Sequence, residues 1–403
     1  MPARAEDLLF RDRVAKAVSH ALRCQRGTAL LHLRLQNRAA GLDLGEVAGR
    51  IAACTRYPDS VVQLNRDSFA ILMSEFSRPE EAGLLAMRLG QAVAEANGQP
   101  LGANVGIALA PYETEDPEAL MAAARTACEG ARAAAEDLRF SSEEMNRVAR
   151  VRAEISRDLP QALEAGELRL HYHVQLDLAA QRMSGAEALL RWQHPQRGLL
   201  LPAEFVPLAE AFGPLEQITA WVLRQACLDA LAWPAVEARV AVNLSPRQLE
   251  DEATVERVAE VLRETGLPEA RLELEITESA IMGDLSAAAR RLQRLRDLGV
   301  RIALDDFGTG YSSLTLLKQL PVTKLKIDRS FVSGLGQDPG DAAIVRALID
   351  LGRGLGLEVL AEGVEREDQL AFLRGAGCSA VQGDLISPPV AAAPAGDLLS
   401  GGA

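Results

Sequence analysis

The sequence has 403 residues, 48% of them apolar and 25% charged; that is too long for one ordinary core, and two domains are the natural expectation. A formal net charge of −13 argues against wrapping nucleic acid or lying on an anionic membrane surface, while leaving room for a small anionic ligand in one cationic pocket. Five scattered cysteines without metal-ligand spacing, no signal-peptide core and no apolar run of spanning length point to a soluble cytoplasmic protein.

Residues 1–140 read as a small α/β unit. A strand over 29–35 leads to a helical pattern near 44–54. Two apolar runs, 61–64 and 69–73, flank Asn65-Arg66-Asp67 as the arms of a hairpin do. A helix over 80–96, a strand over 105–110 and a helix over 117–134 complete the unit. The hairpin Gln63-Leu64-Asn65-Arg66-Asp67-Ser68-Phe69-Ala70 and the strand Val105-Gly106-Ile107-Ala108 resemble the GGDEF diguanylate cyclase domains. The resemblance implies a degenerate copy. Asn65-Arg66 replaces the two glycines that let backbone approach phosphate, and Ser68 replaces an acid. Arg34 stands where the first strand should offer a metal-binding aspartate, so cyclase activity is expected to be absent. Arg56-Tyr57-Pro58-Asp59 matches the spacing of that family's inhibitory RxxD motif for cyclic di-GMP, but with two fixed positions in four it reads more readily as a surface Arg–Asp turn.

Residues 141–167 read as a helical connector. Ser141 with Glu144 offers a capping box, Asp158-Leu159-Pro160 restarts the helix, and Gly166 stops it. From 168 to 403, strand-like and helix-like segments alternate. The strands fall at 168–176, 184–190, 238–243, 271–276, 300–304, 322–327, 357–361 and 379–382. Helical patterns include 214–231, 253–264, 284–298, 341–355 and 366–375. This count and length fit a (β/α)8 TIM-like barrel. An open doubly wound sheet usually carries a glycine fingerprint after its first strand, and none is present.

The fifth strand runs into Asp305-Asp306 and then Phe307-Gly308-Thr309-Gly310, followed by Ser312-Ser313. Alone, this corner reads either as an active-site loop or as a solvated acidic turn. The other strand ends decide between them. Glu187, Asn243, Glu275, Asp305, Asp306, Lys326, Glu362 and Gln382 all fall at or just beyond C-terminal strand ends, the face where barrels build active sites. Several carboxylates and an amide, with few histidines, call for hard cations, Mg²⁺ or Mn²⁺.

Glu187-Ala188-Leu189, Asn243-Leu244-Ser245, Glu275-Ile276-Thr277-Glu278, the Asp305–Ser313 run, Lys326-Ile327-Asp328, Ala361-Glu362-Gly363-Val364-Glu365 and Gln382-Gly383 resemble the EAL cyclic di-GMP phosphodiesterases across about residues 152–390. The resemblance implies hydrolysis of cyclic di-GMP to linear pGpG with two divalent ions. Glu187, Asn243, Glu275, Asp305 and Asp306 would ligate metal, and Glu365 would support them. Lys326 would position the attacking water, with Glu362 as general base. Arg191, Leu189, His173 and Gln382 would meet the ligand, and Glu278 would anchor the glycine loop.

On the ligand side the family pattern Tyr-Gln-Pro is replaced by Tyr172-His173-Val174, and Asp384 stands where an aromatic usually follows Gln382-Gly383. These departures keep two other readings open: a cyclic di-GMP receptor without turnover, and a nucleotide-independent scaffold. The N-terminal domain would regulate or dimerise. A homodimer follows from the resemblance alone.

Overall fold

The computed structural model describes residues 2–24, 26–36, 43–94, 101–212, 214–281, 284–308, 317 and 319–401. They form two compact units, Met1–Leu159 with Pro207–Gly213, and Pro160–Val206 with Pro214–Ala403.

In the first unit, β1 (Gly27–Leu35), β2 (Ser60–Asn65), β3 (Ser68–Phe76), β4 (Ala103–Ala110) and β5 (Leu138–Phe140) form one sheet in the order β2-β3-β1-β4-β5. The strand period of two sorts the core. Ala29, Leu31, Leu33 and Leu35 of β1 join Val105, Ile107 and Leu109 on one face, under the helices Leu44–Ala53 and Glu80–Ala94. Leu30, Ala108 and Ala110 face the other way, against the helices Pro2–Cys24 and Pro117–Ala134. The second helix seats so closely that a Cβ on Gly106 would lie 2.1 Å from the Ala124 carbonyl oxygen, so only glycine fits there.

Two features of this unit differ from the sequence reading. The helix Pro2–Cys24 has no counterpart in it, although Phe10, Val14, Ala17, Val18 and Ala21 are buried at helical spacing. The connector is one helix, Glu143–Ala162, that runs through Pro160 instead of restarting there. Nor is Ser141 its cap: the Ser141 hydroxyl donates to the Ile107 carbonyl, while Ser142 Oγ accepts from the Met145 N–H. Met145 and Ala149 of that helix pack on the first core.

The second unit holds β6 (Leu168–Asp177), β7 (Arg182–His194), β8 (Gly198–Leu200), β9 (Arg239–Leu244), β10 (Leu272–Thr277), β11 (Arg301–Phe307), β12 (Lys324–Ile327), β13 (Glu358–Ala361), β14 (Ala380–Gln382) and β15 (Val390–Ala391). Their order is β15-β6-β14-β13-β12-β11-β10-β9-β7-β8, and the additional β6–β7 pairing closes a ring of eight strands, with β8 and β15 as short appendages. The helices Leu215–Ala232, Thr254–Thr265, Leu285–Asp297, Pro339–Gly354 and Glu367–Ala376 fall between strands of this ring. Seven strands run parallel, while β6 is antiparallel to both neighbours, β7 and β14. The alternation of strand and helix therefore fails between β6 and β7. Residues 178–181 are too few for a crossover, and Asp177 Oδ1 folds them back by accepting the Ala179 and Ala180 N–H groups.

Candidate active site

Parity along the barrel strands fills the interior with two polar layers in place of an apolar core. Glu273 and Glu275 alternate on β10, Lys324 and Lys326 on β12, and all four are at most 1% exposed. His173 and Gln175 alternate in the same way on β6.

In the layer nearer the C-terminal strand ends, Lys326 Nζ is the hub. It lies 2.7 Å from Glu275, 2.7 Å from Glu362, 3.1 Å from Asp305 and 3.6 Å from Glu187. Asn243 Nδ2 donates to Glu187 Oε1 at 2.7 Å, and Gln382 Nε2 donates to Glu187 Oε2 at 2.7 Å. The expected residues thus converge within reach of one ammonium.

Two adjacent strand residues normally point to opposite faces, so Asp305 and Asp306 need a special device to act together. The β11–β12 register shifts between Leu304 and Phe307, and Asp306 takes φ +54°, a left-handed conformation that aspartate tolerates. Ligand atoms of Asp305, Asp306 and Glu362 consequently all lie within 4.8 Å of one another.

The electrostatics of this mouth are unbalanced. Four carboxylates (Glu187, Glu275, Asp305 and Glu362) meet one ammonium, and Asp306 lies beside Asp305 and Glu362. Burial, and then the Asp305 charge, push Asp306 up to about 6. Burial pushes Glu362 up to about 8 even though Lys326 pulls the other way. Burial and the Glu187 charge raise Glu275 well above the usual carboxylate range. Burial opposes charge on Lys326, but its acidic neighbours prevail and raise it. Glu275 Oε1 is buried with no hydrogen-bond partner. An oxygen-only donor set with surplus negative charge and an orphaned carboxylate oxygen fits hard divalent cations.

The remaining expected residues divide. Arg191 is buried close to this layer, with Nη1 donating to the Leu190 carbonyl at 3.0 Å and burial lowering its pKa. Leu189 is half-buried on the same strand parity as Glu187. Gln382 Nε2 also meets His173 Nδ1 at 3.1 Å. A Cβ on Gly383 would collide with the Val364 backbone, so the close approach that sets Gln382 in place requires glycine. Asp384 is exposed, and its charge acts on His173. Glu365 is not in the cluster: it is exposed and pairs with Arg329 at 2.6 Å. Glu278 is buried at the start of a short 3-10 helix; most of the glycine loop it was expected to anchor lies outside the described residues.

A second layer, not among the expected site residues, lies toward the N-terminal strand ends. Lys324 Nζ meets Glu273 at 2.5 Å, Gln175 Oε1 at 3.1 Å and Glu358 at 3.5 Å. Arg239 and Arg301 reach Glu358 at 2.8 Å and 2.9 Å, and Arg301 reaches Glu273 at 3.4 Å. The available signal was the alternation of charge with apolar residues in Glu273-Leu274-Glu275 and Lys324-Leu325-Lys326, unusual in strands buried on both faces.

In the first unit, a cavity of about 810 Å³ is lined by Arg11, His32, Arg34, Asp67, Arg125 and Glu129, among others. Its cations are paired internally: Arg34 with Asp67 at 3.6 Å, Arg11 with Glu118 at 2.8 Å and Arg125 with Glu129 at 3.4 Å. The Arg56–Asp59 pair forms a local turn. Asp59 accepts the Arg56 and Ser74 N–H groups, and Arg56 Nη2 donates to the Glu75 carbonyl. Among the described residues, no helix is long and apolar enough to cross a membrane.

The family model for the EAL domain matches residues 156–389, and that for the diguanylate cyclase GGDEF domain matches residues 9–137. The chain is 39% identical over 404 residues to the bifunctional diguanylate cyclase/cyclic di-GMP phosphodiesterase MucR of Pseudomonas aeruginosa, covering 96% of this chain and 59% of that protein. It is 38% identical over 395 residues to the cyclic di-GMP phosphodiesterase NbdA of Pseudomonas aeruginosa, covering 93% of this chain and 50% of that protein. A solved structure described as the PaMucR phosphodiesterase in complex with c-di-GMP is similar over 60% of this chain and 99% of its own, with 45% identity and a TM-score of 0.59. The chain spans roughly half the length of the curated relatives it matches, between 44% and 59% in the first three.

Proposed function

Because the chain belongs to the EAL-domain family, with a GGDEF domain ahead of its EAL domain, we propose that its barrel hydrolyses cyclic di-GMP to linear pGpG in the presence of Mg²⁺ or Mn²⁺. The observation that carries this reading is the five carboxylates, Glu362 among them, gathered around the one ammonium of Lys326, more negative charge than the protein itself neutralises. Glu187, Asn243, Glu275, Asp305 and Asp306 would hold divalent ions; Glu365, turned toward Arg329, would not. When bound, such ions supply Lewis-acid polarisation of the scissile phosphodiester and offset its charge.

The chain's own groups do the rest. Glu362 accepts a proton from the attacking water, a role suited to a carboxyl whose pKa lies near neutrality. Water oxygen bonds to phosphorus, the ester P–O bond breaks, and the proton ends on the departing sugar oxygen. Lys326 Nζ fixes Glu362 and Asp305 on either side of that exchange. Arg191 offers forked donors to a phosphate, and burial of its stem limits the geometries it samples.

The GGDEF domain would be catalytically silent. Its cavity places Arg34 against Asp67, so the acid that could hold a cation is already paired with one. Its role would be regulatory or dimerising.

Incubating the protein with cyclic di-GMP and Mn²⁺ should yield linear pGpG, and GTP with Mg²⁺ should yield no cyclic dinucleotide. Folded protein that binds cyclic di-GMP in calorimetry but releases no pGpG would replace the enzyme with a receptor. Absence of binding as well would leave only a scaffold.

A further inference from the structure

Gln382 sits at a junction that neither the charge count nor the metal site explains. Its side-chain nitrogen contacts two acceptors at once, Glu187 Oε2 at 2.7 Å and His173 Nδ1 at 3.1 Å. A carboxylate only accepts, so the atom facing Glu187 is the amide nitrogen, and one of its two hydrogens is committed there. The other hydrogen points to His173 Nδ1, which must then be bare. The histidine proton is placed on Nε2, a buried atom without a hydrogen-bond partner.

The topology makes this contact possible. His173 lies directly across the β6–β7 pair from Glu187, and Gln382 lies across the β6–β14 pair from Gln175. The antiparallel strand β6 therefore lies between the strands that carry Gln382 and Glu187, and supplies the side chain that bridges them.

We propose that His173 is a positioning residue: as the Nε2–H tautomer it fixes the orientation of the Gln382 amide, and through Gln382 it holds Glu187 ready to bind a divalent cation. The physical reason lies in the alternative orientation. Turned over, the amide would set Oε1 against Glu187 Oε2 and against His173 Nδ1, oxygen lone pairs facing two acceptors in a buried site. With His173 in place the reversal also requires the imidazole proton to move from Nε2 to Nδ1; without it, Glu187 alone must hold the amide. Outer partners of this kind usually tune metal affinity by about 10–100-fold.

This inference rests on Glu187 being a metal ligand, and the experiment separates the two claims. Nitrogen NMR of the histidine-labelled chain in EDTA, with the His173 signal identified by its loss in His173→Gln, should show Nδ1 bare and Nε2 protonated. That readout needs neither metal nor activity, and an Nδ1–H tautomer overturns the proposal. Calorimetric titration of Mn²⁺ into EDTA-cleared protein gives the second arm. His173→Leu should weaken Mn²⁺ by about 10–100-fold. His173→Gln, whose side-chain carbonyl can accept the same N–H, should recover most of the loss. In a Gln382→Leu background, His173→Leu should add nothing, because the path through the amide is already cut. Independent, additive losses, or a His173→Leu affinity within about twofold of wild type, would overturn the proposal. Wild-type protein that takes up no Mn²⁺ would overturn the metal-site reading as well, a result distinct from losses confined to the variants.

Discussion

The two ends of the barrel interior are built from the same strands and the same residue types, and they differ in charge balance. Toward the N-terminal strand ends, Glu273 and Glu358 are each met by at least two of Lys324, Arg239 and Arg301. Toward the C-terminal ends, one lysine faces four carboxylates, with Asp306 close by. β10 contributes Glu273 to one end and Glu275 to the other, and β12 contributes Lys324 and Lys326. Two residues along a strand therefore separate a network that closes on itself from one that needs a partner. Buried charge alone does not mark a site. A buried surplus of one sign does, since ions removed from water must be neutralised by something.

Removing an acid from each end tests this contrast most severely. Glu362→Gln should lower kcat for cyclic di-GMP by about 10²–10⁴-fold, the usual loss for a general base. Glu358→Gln at the other end should leave kcat of the folded protein within a few-fold of wild type, as initial rates in Mn²⁺ would show. Equal losses from the two would mean that both ends serve chemistry.

Exchanging the two lysines gives the next largest effect. Lys324→Met strips Glu273 of its nearest cation and should cost about 3–5 kcal/mol in urea unfolding, as for a broken buried pair. Excess Mn²⁺ should not restore that loss. Lys326→Met leaves a still larger negative surplus, and Mn²⁺ should recover part of its stability. Equal recovery of both variants would erase the distinction between the ends.

A third effect is set by pH. Folding raises Asp306 to about 6 and Glu362 to about 8, both above ordinary carboxyl values. At these two carboxyls the folded state then binds more protons than the unfolded chain between roughly pH 4 and pH 8, so their contribution to metal-free stability falls as pH rises through that window. Divalent cations compete with those same protons, so Mn²⁺ affinity should climb over pH 6–8. Thermal melts in EDTA against melts in Mn²⁺ should diverge toward alkaline pH. A metal-free melting temperature that rises steadily across pH 5–8 would contradict the assigned surplus.

The sequence revealed the barrel because the strand ends carry its punctuation. Glu187, Asn243, Glu275, Asp305 and Gln382 interrupt apolar runs, and the helices between later strands have clear periodicity. Geometry decided what punctuation could not. Glu365 lies three residues after Glu362 and resembles a site residue, but the turn before the helix Glu367–Ala376 sends it outward to Arg329. The lower layer is only half legible: alternation marks Glu273 and Lys324 as inward charges, but that they pair with each other shows only when their strands are laid side by side. Likewise, the contact between His173 and Gln382 spans 209 residues and depends on β6 running against its neighbours, which no local pattern encodes.

The smallest expected effect asks whether the balanced end is also the closed one. Cys378 lies there; it is 5% exposed, its thiol meets the Val359 carbonyl, and burial pushes its pKa up to about 12. At pH 8 a thiol of that pKa is ionised only about once in 10⁴ molecules, so alkylation requires the region to open first. Cys24 is exposed and should be labelled by iodoacetamide within minutes, with half-buried Cys54 following. Cys227, buried and raised to about 11, serves as an internal control. Mass spectrometry should find Cys378 and Cys227 unlabelled in native protein, with or without Mn²⁺. If withdrawal of Mn²⁺ exposed Cys378 alone, the two ends would be mechanically coupled, and the lower network would belong to the working site and not to its frame.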